Sequence, residues 1–380
     1  MNILVLPSWY NSKTNPVLGS FFKEQAQALY HYGHHIIIGY CETVGIRQIV
    51  RDDLYRIRKR DEDGILTYRY SIPSYGSDRR EKKFERAKTA YKHLIKVILK
   101  ENKIELIHAH SYRPAGFAAC ALKDIHQLPV VITEHYGGIM SELPDYYKKS
   151  LRLTMQRADA LISVSGALRD NMKKVYSEKD IYVIPDMVSP QFNYHSKTKS
   201  DVFTIITCGN LIKSKKHDMT IAAFHEAFAK DQNTRLLIIG DGPQRLSLQE
   251  QVKSLGENNR IQFTGRLPRK SVADIMKRAD VFVLPSESET FGVVYIEAMA
   301  SGLPVIGTRN GGYDEIYDPT CGYIIDKNNL TQLIKTIQKC HEEVWKFNSA
   351  EISNKTIKKY GELSIAEQLT TVFNTTISQY

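Results

Sequence analysis

Short apolar runs alternate with helical patterns along most of the chain, and this order limits the folds that the sequence can adopt. A short apolar run bounded by turn residues is typical of a buried parallel strand. Strands and helices in regular succession predict an α/β fold with doubly wound parallel sheets. The predicted strands are Ile3–Leu6, Ile36–Gly39, Leu106–His108, Val130–Thr133, Ala160–Val164 and Tyr182–Ile184 in a first series, then Phe203–Thr207, Leu236–Ile239, Ile261–Phe263, Val281–Leu284 and Val305–Gly307 in a second.

A break between the two series divides the 380 residues into two predicted domains. Pro185–Ser200 contains two prolines, several polar residues and no periodicity, so we interpret it as an interdomain linker. The length agrees with about two domains of ordinary size. We therefore predict a Rossmann-like domain at residues 1–190 and a smaller one at residues 200–357, followed by a helical tail.

The composition is that of a globular chain, with 42% hydrophobic and 25% charged residues. No run of about 18 apolar residues occurs, and the apolar start Met1–Leu6 is too short for a signal peptide. The five cysteines are scattered and form no CxxC pair, which argues against a zinc site or a disulfide framework. These features predict a cytoplasmic protein.

The net charge of +10 lies entirely in the first 200 residues, whereas residues 201–380 are neutral. It is densest at Arg51–Arg60 and Arg79–Lys100. Such an excess favours an anionic partner, such as acidic lipid headgroups, a phospholipid acceptor or nucleic acid, although a solvated lysine-rich surface is the alternative. No known nucleic-acid module is present, so we expect no nucleic-acid partner and instead a peripheral contact with an anionic membrane.

The most specific functional signal is the segment Pro285–Gly312, which follows a predicted buried strand. Glu289 lies in the loop before a helix that should begin near Gly292, and Glu297 lies a turn into that helix. The free N–H groups at a helix start form an anion site. Two carboxylates beside such a site suit a sugar nucleotide, which offers a diphosphate and many hydroxyl groups. An isolated pair at this spacing would more often be two surface glutamates.

The order of PS, FG, EAMA and GLPV in this segment resembles the donor-site signature of the retaining glycosyltransferases of family 4. The resemblance implies the GT-B fold, in which two Rossmann-like domains face a central cleft. It implies that the first domain binds the acceptor and that the second binds the nucleotide sugar. It also implies that a last helix, near residues 360–380, packs back on the first domain.

The same resemblance implies roles for the residues of the segment. Glu289 would bind hydroxyl groups of the donor sugar, and Glu297 would bind the ribose of the nucleotide. The backbone amides that would meet the sugar or the phosphate are those of Phe291, Gly292 and Val293.

A second match lies at Thr204–Ala223, where the family commonly carries the pattern G-R-L-x-x-x-K-G. Gly209 and Lys215 occupy the first glycine and the lysine positions, and Lys215 would grip the donor diphosphate. Asn210 stands where arginine is usual, so one expected cation is missing. The candidates to replace that cation are Lys213, Lys216 and Arg266, the last in a loop that matches the place where the family reads the nucleobase.

Two further candidates lie in the first predicted domain. Gly19 ends the long loop Pro7–Gly19 and precedes a helix start, a position that favours phosphate. By resemblance, His135 matches a cleft histidine that touches the donor sugar. The histidines His108 and His110 lack the carboxylates of a metal site, so we expect them to be structural.

The predicted activity is transfer of a sugar from a UDP- or GDP-sugar to a saccharide or lipid-linked saccharide, with retention of the anomeric configuration. Glu289, Lys215 and His135 are the predicted catalytic residues, with no covalent nucleophile. We expect no metal and no other cofactor, because no DxD triplet stands out. The expected setting, by family analogy, is bacterial surface-polysaccharide assembly. The alternatives are a GT-B sugar-nucleotide epimerase, a phosphorylase, a nucleic-acid-binding protein and a non-catalytic scaffold.

Overall fold

The computed structural model describes residues 1–11, 18–45, 54–74, 80–137, 143–196 and 200–380. Parts of the first loop, of the two basic segments and of the predicted linker lie outside these ranges. The chain forms two compact units. Unit 1 comprises Met1–Pro185 and Leu363–Tyr380, and unit 2 comprises Asp186–Glu362.

The sheet of unit 1 has eight strands in the order β3-β4-β2-β1-β5-β6-β7-β8. Every pairing in it is parallel except that of β3 with β4. The strands are β1 (Asn2–Pro7), β2 (His35–Gly45), β3 (Ile57–Glu62), β4 (Ile65–Ser74), β5 (Leu106–His110), β6 (Val130–Glu134), β7 (Ala160–Ser163) and β8 (Ile181–Val183). The helices are α1 (Ser20–His31), α2 (Arg80–Glu101), α3 (Phe117–Ala121), α4 (Lys123–His126), α5 (Asp145–Arg157), α6 (Gly166–Val175) and the last helix of the chain, α14 (Glu362–Gln379), with a π-helical turn at Tyr112–Gly116.

The antiparallel hairpin of β3 and β4 is absent from the predicted series. β3 reads IRKRDE, so it carries no apolar run, and it forms the edge of the sheet, where polar side chains are tolerated. Asp63 and Gly64 both have positive φ and close the turn between the strands, with the Gly64 amide donating to the Asp61 carboxylate at 2.9 Å. The sheet of unit 1 is therefore parallel except at this edge.

The last helix, α14, packs on the other elements of unit 1. His34 and Thr370 share a hydrogen bond of 2.8 Å between ring nitrogen and hydroxyl. The ring of Phe373 lies 5.0 Å from the buried ring of His108 in the middle of β5. The apolar face of α14 thus completes the core of unit 1, although α14 follows unit 2 in the sequence.

Unit 2 contains a six-stranded sheet in the order β11-β10-β9-β12-β13-β14, parallel throughout. The strands are β9 (Phe203–Cys208), β10 (Thr234–Ile239), β11 (Ile261–Gly265), β12 (Val281–Leu284), β13 (Val305–Thr308) and β14 (Gly322–Ile325). The helices are α7 (His217–Ala227), α8 (Arg245–Ser254), α9 (Arg269–Met276), α10 (Val293–Ala300), α11 (Tyr313–Ile316), α12 (Leu330–Glu343) and α13 (Ser349–Tyr360). Because all strands run the same way, the loops that follow them meet at one edge of the sheet.

The predicted linker packs on unit 2 over its described part. The boundary between the units falls at residues 185 and 186, at the start of that segment. Met187, Val188 and Phe192 are buried, and the Val188 amide donates to the Tyr360 carbonyl at 2.8 Å. Its prolines and irregular pattern indicate the absence of regular structure, but they do not reveal these apolar anchors.

No helix in the described part of the chain is long and apolar enough to cross a membrane. All five cysteines are free thiols.

Candidate active site

The loop that carries Glu289 is held by two neighbouring loops at the carboxyl edge of the unit 2 sheet. The Ser286 hydroxyl and the Glu287 amide both donate to the Ser214 carbonyl, at 3.1 and 2.7 Å. The Glu289 amide donates to the Asn310 carbonyl at 3.2 Å. The loop after β12 is therefore fixed between the loops after β9 and β13.

Gly292 turns this loop into helix α10. Its φ of 93° is left-handed, and a Cβ at this position would lie 2.6 Å from the Tyr295 ring, so a larger residue would be strained. Phe291 before it is buried, and its ring lies 5.7 Å from that of Tyr360. Val293 is the first helical residue, so the three sequence-predicted backbone positions form the start of α10. The first amides of such a helix are available to an anion.

Lys215 and Glu289, predicted from two separate motifs, form an ion pair. Lys215 Nζ lies 2.6 Å from Glu289 Oε1, and the side chains are 19% and 9% exposed. His217 is buried next to them, and burial together with the Lys215 charge lowers its pKa to about 4. His217 is therefore neutral at neutral pH, and Lys215 supplies the positive charge of this part of the site.

Glu297 has a cationic partner that the sequence analysis missed. Arg269 Nη2 lies 2.6 Å from Glu297 Oε1, with side chains that are 22% and 7% exposed. Burial raises the pKa of Glu297, and the Arg269 charge opposes this rise. Arg269 is the first residue of α9, just after the loop that follows β11. Arg269 comes shortly after the loop predicted to read the nucleobase, and this position is the sequence signal that could have identified it.

The two ion pairs meet around Cys208, the last residue of β9. Burial and the Glu297 charge raise the pKa of the Cys208 thiol to about 12, whereas the Arg269 and Lys215 charges act to lower it. The thiol thus lies within electrostatic range of both pairs. We call Lys215, Glu289, Arg269 and Glu297 the charged cluster.

Gly209 follows Cys208 where the ends of β9 and β10 approach closely. Its amide donates to the Ile239 carbonyl at 3.0 Å. A Cβ built on Gly240 would lie only 1.9 Å from the Gly209 carbonyl oxygen, and Gly240 has a left-handed φ of 136°. Glycine at position 240 therefore lets the backbone pass close to the strand end from which the Lys215 turn begins.

The proposed replacements for the missing arginine differ in position. Asn210, Lys213 and Arg266 are exposed at the carboxyl edge. Lys216 pairs with Glu287 at 2.7 Å. Besides Lys215, Arg269 is a cation that contacts a glutamate of the donor segment, namely Glu297.

Gly19 and His135 lie in unit 1, in a group of their own around Phe22. Gly19 has a left-handed φ of 64°, and a Cβ there would lie 2.7 Å from the Trp9 carbonyl oxygen. The His135 ring packs edge-on against Phe22 at 4.9 Å and shares a hydrogen bond of 3.0 Å with His110. Glycine at position 19 is required by the turn into α1, whatever ligand binds beside it.

The neighbouring histidines and Glu134 are held in structural contacts. Burial lowers the pKa of His108 to about 3, and its ring hydrogen-bonds with the Thr133 hydroxyl at 2.8 Å. The buried Glu134 carboxylate accepts a hydrogen bond from the Ser111 hydroxyl at 2.6 Å and three more from backbone amides. A carboxylate with four donors holds together the loops after β5 and β6.

The charged cluster offers the chemistry that a ligand with a diphosphate and several hydroxyls requires. Two cations and a helix start can bind phosphate oxygens, and two carboxylates can accept hydrogen bonds from hydroxyl groups. Within the described residues, no group of three His, Cys, Asp or Glu side chains is arranged to hold a metal ion. The groups that the site offers to a phosphate are the side-chain cations Lys215 and Arg269 and the first backbone amides of α10.

Two family models match the chain. The model described as Glycosyltransferase Family 4 matches residues 23–192, and the model described as Glycosyl transferases group 1 matches residues 190–360. The chain is similar to the putative teichuronic acid biosynthesis glycosyltransferase TuaC of Bacillus subtilis. The two are 29% identical over an alignment 386 residues long, which covers 94% of each chain.

Solved structures with the same fold include two that align over nearly the whole chain. Sucrose-phosphate synthase from Thermosynechococcus elongatus aligns with a TM-score of 0.80 and 19% identity over 100% of both chains. Anabaena HepE in complex with UDP aligns with a TM-score of 0.76 and 17% identity over 99% of this chain and 100% of HepE. At these identities the likeness establishes the architecture of two α/β units.

Proposed function

Because this chain belongs to the family 4 glycosyltransferases and has their GT-B fold, we propose that it transfers a sugar from a nucleotide sugar to a saccharide or lipid-linked saccharide, with retention of configuration. The observation that carries this proposal is the charged cluster. It brings the two glutamates of the donor segment together with two cations, next to the start of α10.

In the proposed site, the donor contacts side chains of the two ion pairs. The diphosphate of the donor lies against Lys215 and the first amides of α10. Glu289 accepts hydrogen bonds from hydroxyl groups of the sugar, and Glu297 accepts them from the ribose. Breaking the bond from the anomeric carbon to the phosphate oxygen leaves an oxocarbenium-like sugar and a diphosphate of increased charge. Preorganised cations and amides stabilise that charge most in the transition state.

Retention follows in this proposal from attack on the face that the diphosphate leaves. The leaving phosphate oxygen takes the proton of the acceptor hydroxyl, so no protein nucleophile is needed. We assign His135, in unit 1, a contact with the donor sugar. This role is independent of the hydrogen bond that His135 shares with His110.

For the donor we propose a UDP- or GDP-sugar, and the presence of UDP in the HepE structure supports UDP. The relative from Bacillus subtilis is named for teichuronic acid biosynthesis, which supports a setting in bacterial surface-polysaccharide assembly.

A donor screen tests the reaction class. The protein, incubated with UDP-, GDP- and ADP-sugars and with saccharide acceptors, should release nucleoside diphosphate from one class, with the product anomer read by NMR. Interconversion of two nucleotide sugars without release would instead indicate an epimerase. An inverted product would contradict retention, and no reaction with any donor would contradict an enzyme of this class.

Changing Glu297→Ala is expected to weaken UDP binding by about 1.5–3 kcal/mol, or roughly 10- to 150-fold, since the ribose hydroxyls lose a charged acceptor. Titration calorimetry with bare UDP measures this loss without the sugar. The matched control is Glu257→Ala, which removes another buried carboxylate of unit 2 that is paired with an arginine, Arg260. Glu257→Ala should lower the melting temperature and retain UDP affinity. Equal UDP affinity in Glu297→Ala and the parent would remove the ribose assignment.

We also propose that unit 1 contacts an anionic membrane, where a lipid-linked acceptor would lie. The basic strand β3 is a poor candidate for this contact, because Arg58 donates to the Ser71 hydroxyl at 3.0 Å and Lys59 pairs with Glu101 at 2.6 Å. A groove of about 610 Å³ along the end of α2 is a better one. Its lining includes Lys96, Lys100, Lys103 and the side chain of Ile125, which is 67% exposed.

Sedimentation with liposomes is expected to show binding that rises with the fraction of anionic lipid and falls with salt. Changing the three groove lysines Lys96, Lys100 and Lys103 to serine should weaken partitioning by about 3 kcal/mol, since each contributes about 1 kcal/mol near such a surface. A control with the same loss of charge changes three other lysines of unit 1, Lys149, Lys173 and Lys174, to serine. Equal loss in both triple variants would indicate a general charge effect, and no binding at low salt would favour a soluble acceptor.

A further inference from the structure

We propose that Arg269 is a positioning residue for the nucleotide: it holds the Glu297 carboxylate as an anion, oriented to accept the hydroxyls of the ribose. This inference rests on the proposed function, in which Glu297 binds the ribose. It assigns a role to a residue that lies outside both stretches matched to the family, Thr204–Ala223 and Pro285–Gly312.

The geometry of Arg269 is fixed from two sides. Arg269 Nη2 lies 2.6 Å from Glu297 Oε1, and the guanidinium carbon Cζ lies 5.2 Å from the centre of the Phe192 ring. Phe192 is buried, and Arg269 begins α9, so the ring and the helix together limit the positions of the side chain. Glu297 Oε1 thus has a cationic partner of restricted position.

The charge of Glu297 depends on this partner. Burial in the unit 2 core disfavours the carboxylate and raises its pKa, whereas Arg269 lowers it. The other titratable group that faces Glu297 is the Cys208 thiol at the end of β9, and its raised pKa keeps it neutral. Lys215 also lies near Cys208, but it is paired with Glu289. Arg269 is therefore the cation that keeps Glu297 ionised.

An ionised carboxylate accepts two hydroxyl hydrogen bonds at nearly double the strength of a neutral group, whereas a protonated one retains less acceptor capacity and no charge. Removing Arg269 should consequently weaken nucleotide binding at neutral pH. Raising the pH should restore the binding, because it ionises Glu297 again. A direct contact between Arg269 and the diphosphate would give a different pattern, since its loss could not be restored by pH.

The test compares Arg269→Gln with the parent in calorimetric titrations with UDP and with UMP. The range from pH 7 to pH 9 is used because phosphate groups, whose second pKa is about 6, are then largely ionised. At pH 7 we expect both nucleotides to lose affinity by about tenfold, the usual effect of an outer partner that orients a ligand-binding group. The loss should be smaller at pH 9 than at pH 7, because burial raises the pKa of Glu297 and higher pH favours its ionised form. Arg269→Lys, which retains the charge, should restore the affinity at pH 7 in large part.

Arg260 provides a closely matched control. It pairs with the buried Glu257 at 2.5 Å and lies 5.2 Å from the centre of the Phe224 ring, but it precedes β11, at the opposite edge of the sheet. Arg260→Gln should lower the melting temperature and leave nucleotide affinity and its pH dependence unchanged. This separates a loss of folding stability from a loss at the site.

Three results for Arg269→Gln would overturn the inference: unchanged affinity, a loss confined to UDP, or a loss of equal size at pH 7 and pH 9. The Glu297→Ala variant distinguishes this failure from that of the proposed function. If Glu297→Ala binds UDP as well as the parent does, the ribose assignment itself is wrong. If Glu297→Ala binds weakly while Arg269→Gln does not, only the role of Arg269 is wrong.

Discussion

Replacing Lys215 by alanine is expected to lower kcat by about 10²- to 10³-fold, the effect of removing one preorganised donor from a developing negative charge. Lys215 is the cation paired with Glu289, the adjacent His217 is neutral, and Lys216 is paired with Glu287 instead. Donor binding should suffer less than turnover, because the diphosphate gains charge as the bond breaks. Steady-state kinetics with saturating donor measure the loss.

The comparison variant for Lys215→Ala is Lys213→Ala. Lys213 lies two residues earlier in the same turn and is exposed. It should retain kcat within about twofold, as is usual for a surface cation. A large loss at Lys213 with none at Lys215 would place the diphosphate on the outer side of this turn and contradict the charged cluster as the donor site.

Changing Glu289→Gln is expected to lower kcat by about 10²-fold, because the donor sugar loses the carboxylate that orients it for reaction. The affinity for bare UDP should change little, since UDP lacks the sugar that Glu289 contacts. Kinetics and UDP calorimetry on the same sample separate the two effects. A loss of UDP affinity with unchanged kcat would reverse the roles given to Glu289 and Glu297.

The control for Glu289→Gln is Glu287→Gln, two residues earlier in the same loop. Glu287 pairs with Lys216 at 2.7 Å, so this change also breaks a glutamate–lysine pair at the carboxyl edge. It should leave kcat near that of the parent, because the pair is more exposed and lies outside the charged cluster. If both variants lose kcat equally, the effect comes from the loop as a whole.

Most strands of the interior were predictable from local sequence, because burial on both faces favours a short run of apolar side chains. β1, β5, β6 and β12 are of this kind, and the apolar runs locate them to within about two residues. The strands β3, β4 and β14 were not predicted; β3 and β14 lie at sheet edges, whereas β4 is interior, and the edge strands β8 and β11 were predicted. A strand at an edge has fewer packing neighbours, so its sequence is free to be charged, as IRKRDE is, or to begin with glycine.

The sequence by itself determined the alternation of strands and helices, the family, and three members of the charged cluster, because residue type and spacing carry that information locally. Only the tertiary structure decided how the charges pair: Lys215 with Glu289, and Arg269 with Glu297. Lys215 and Glu289 are 74 residues apart and meet because β9 lies beside β12, whereas Arg269 follows β11 and reaches Glu297 because parallel strands end at one edge. No local pattern encodes such a meeting, since it depends on the order of strands across the sheet and on the burial that makes an unpaired carboxylate costly.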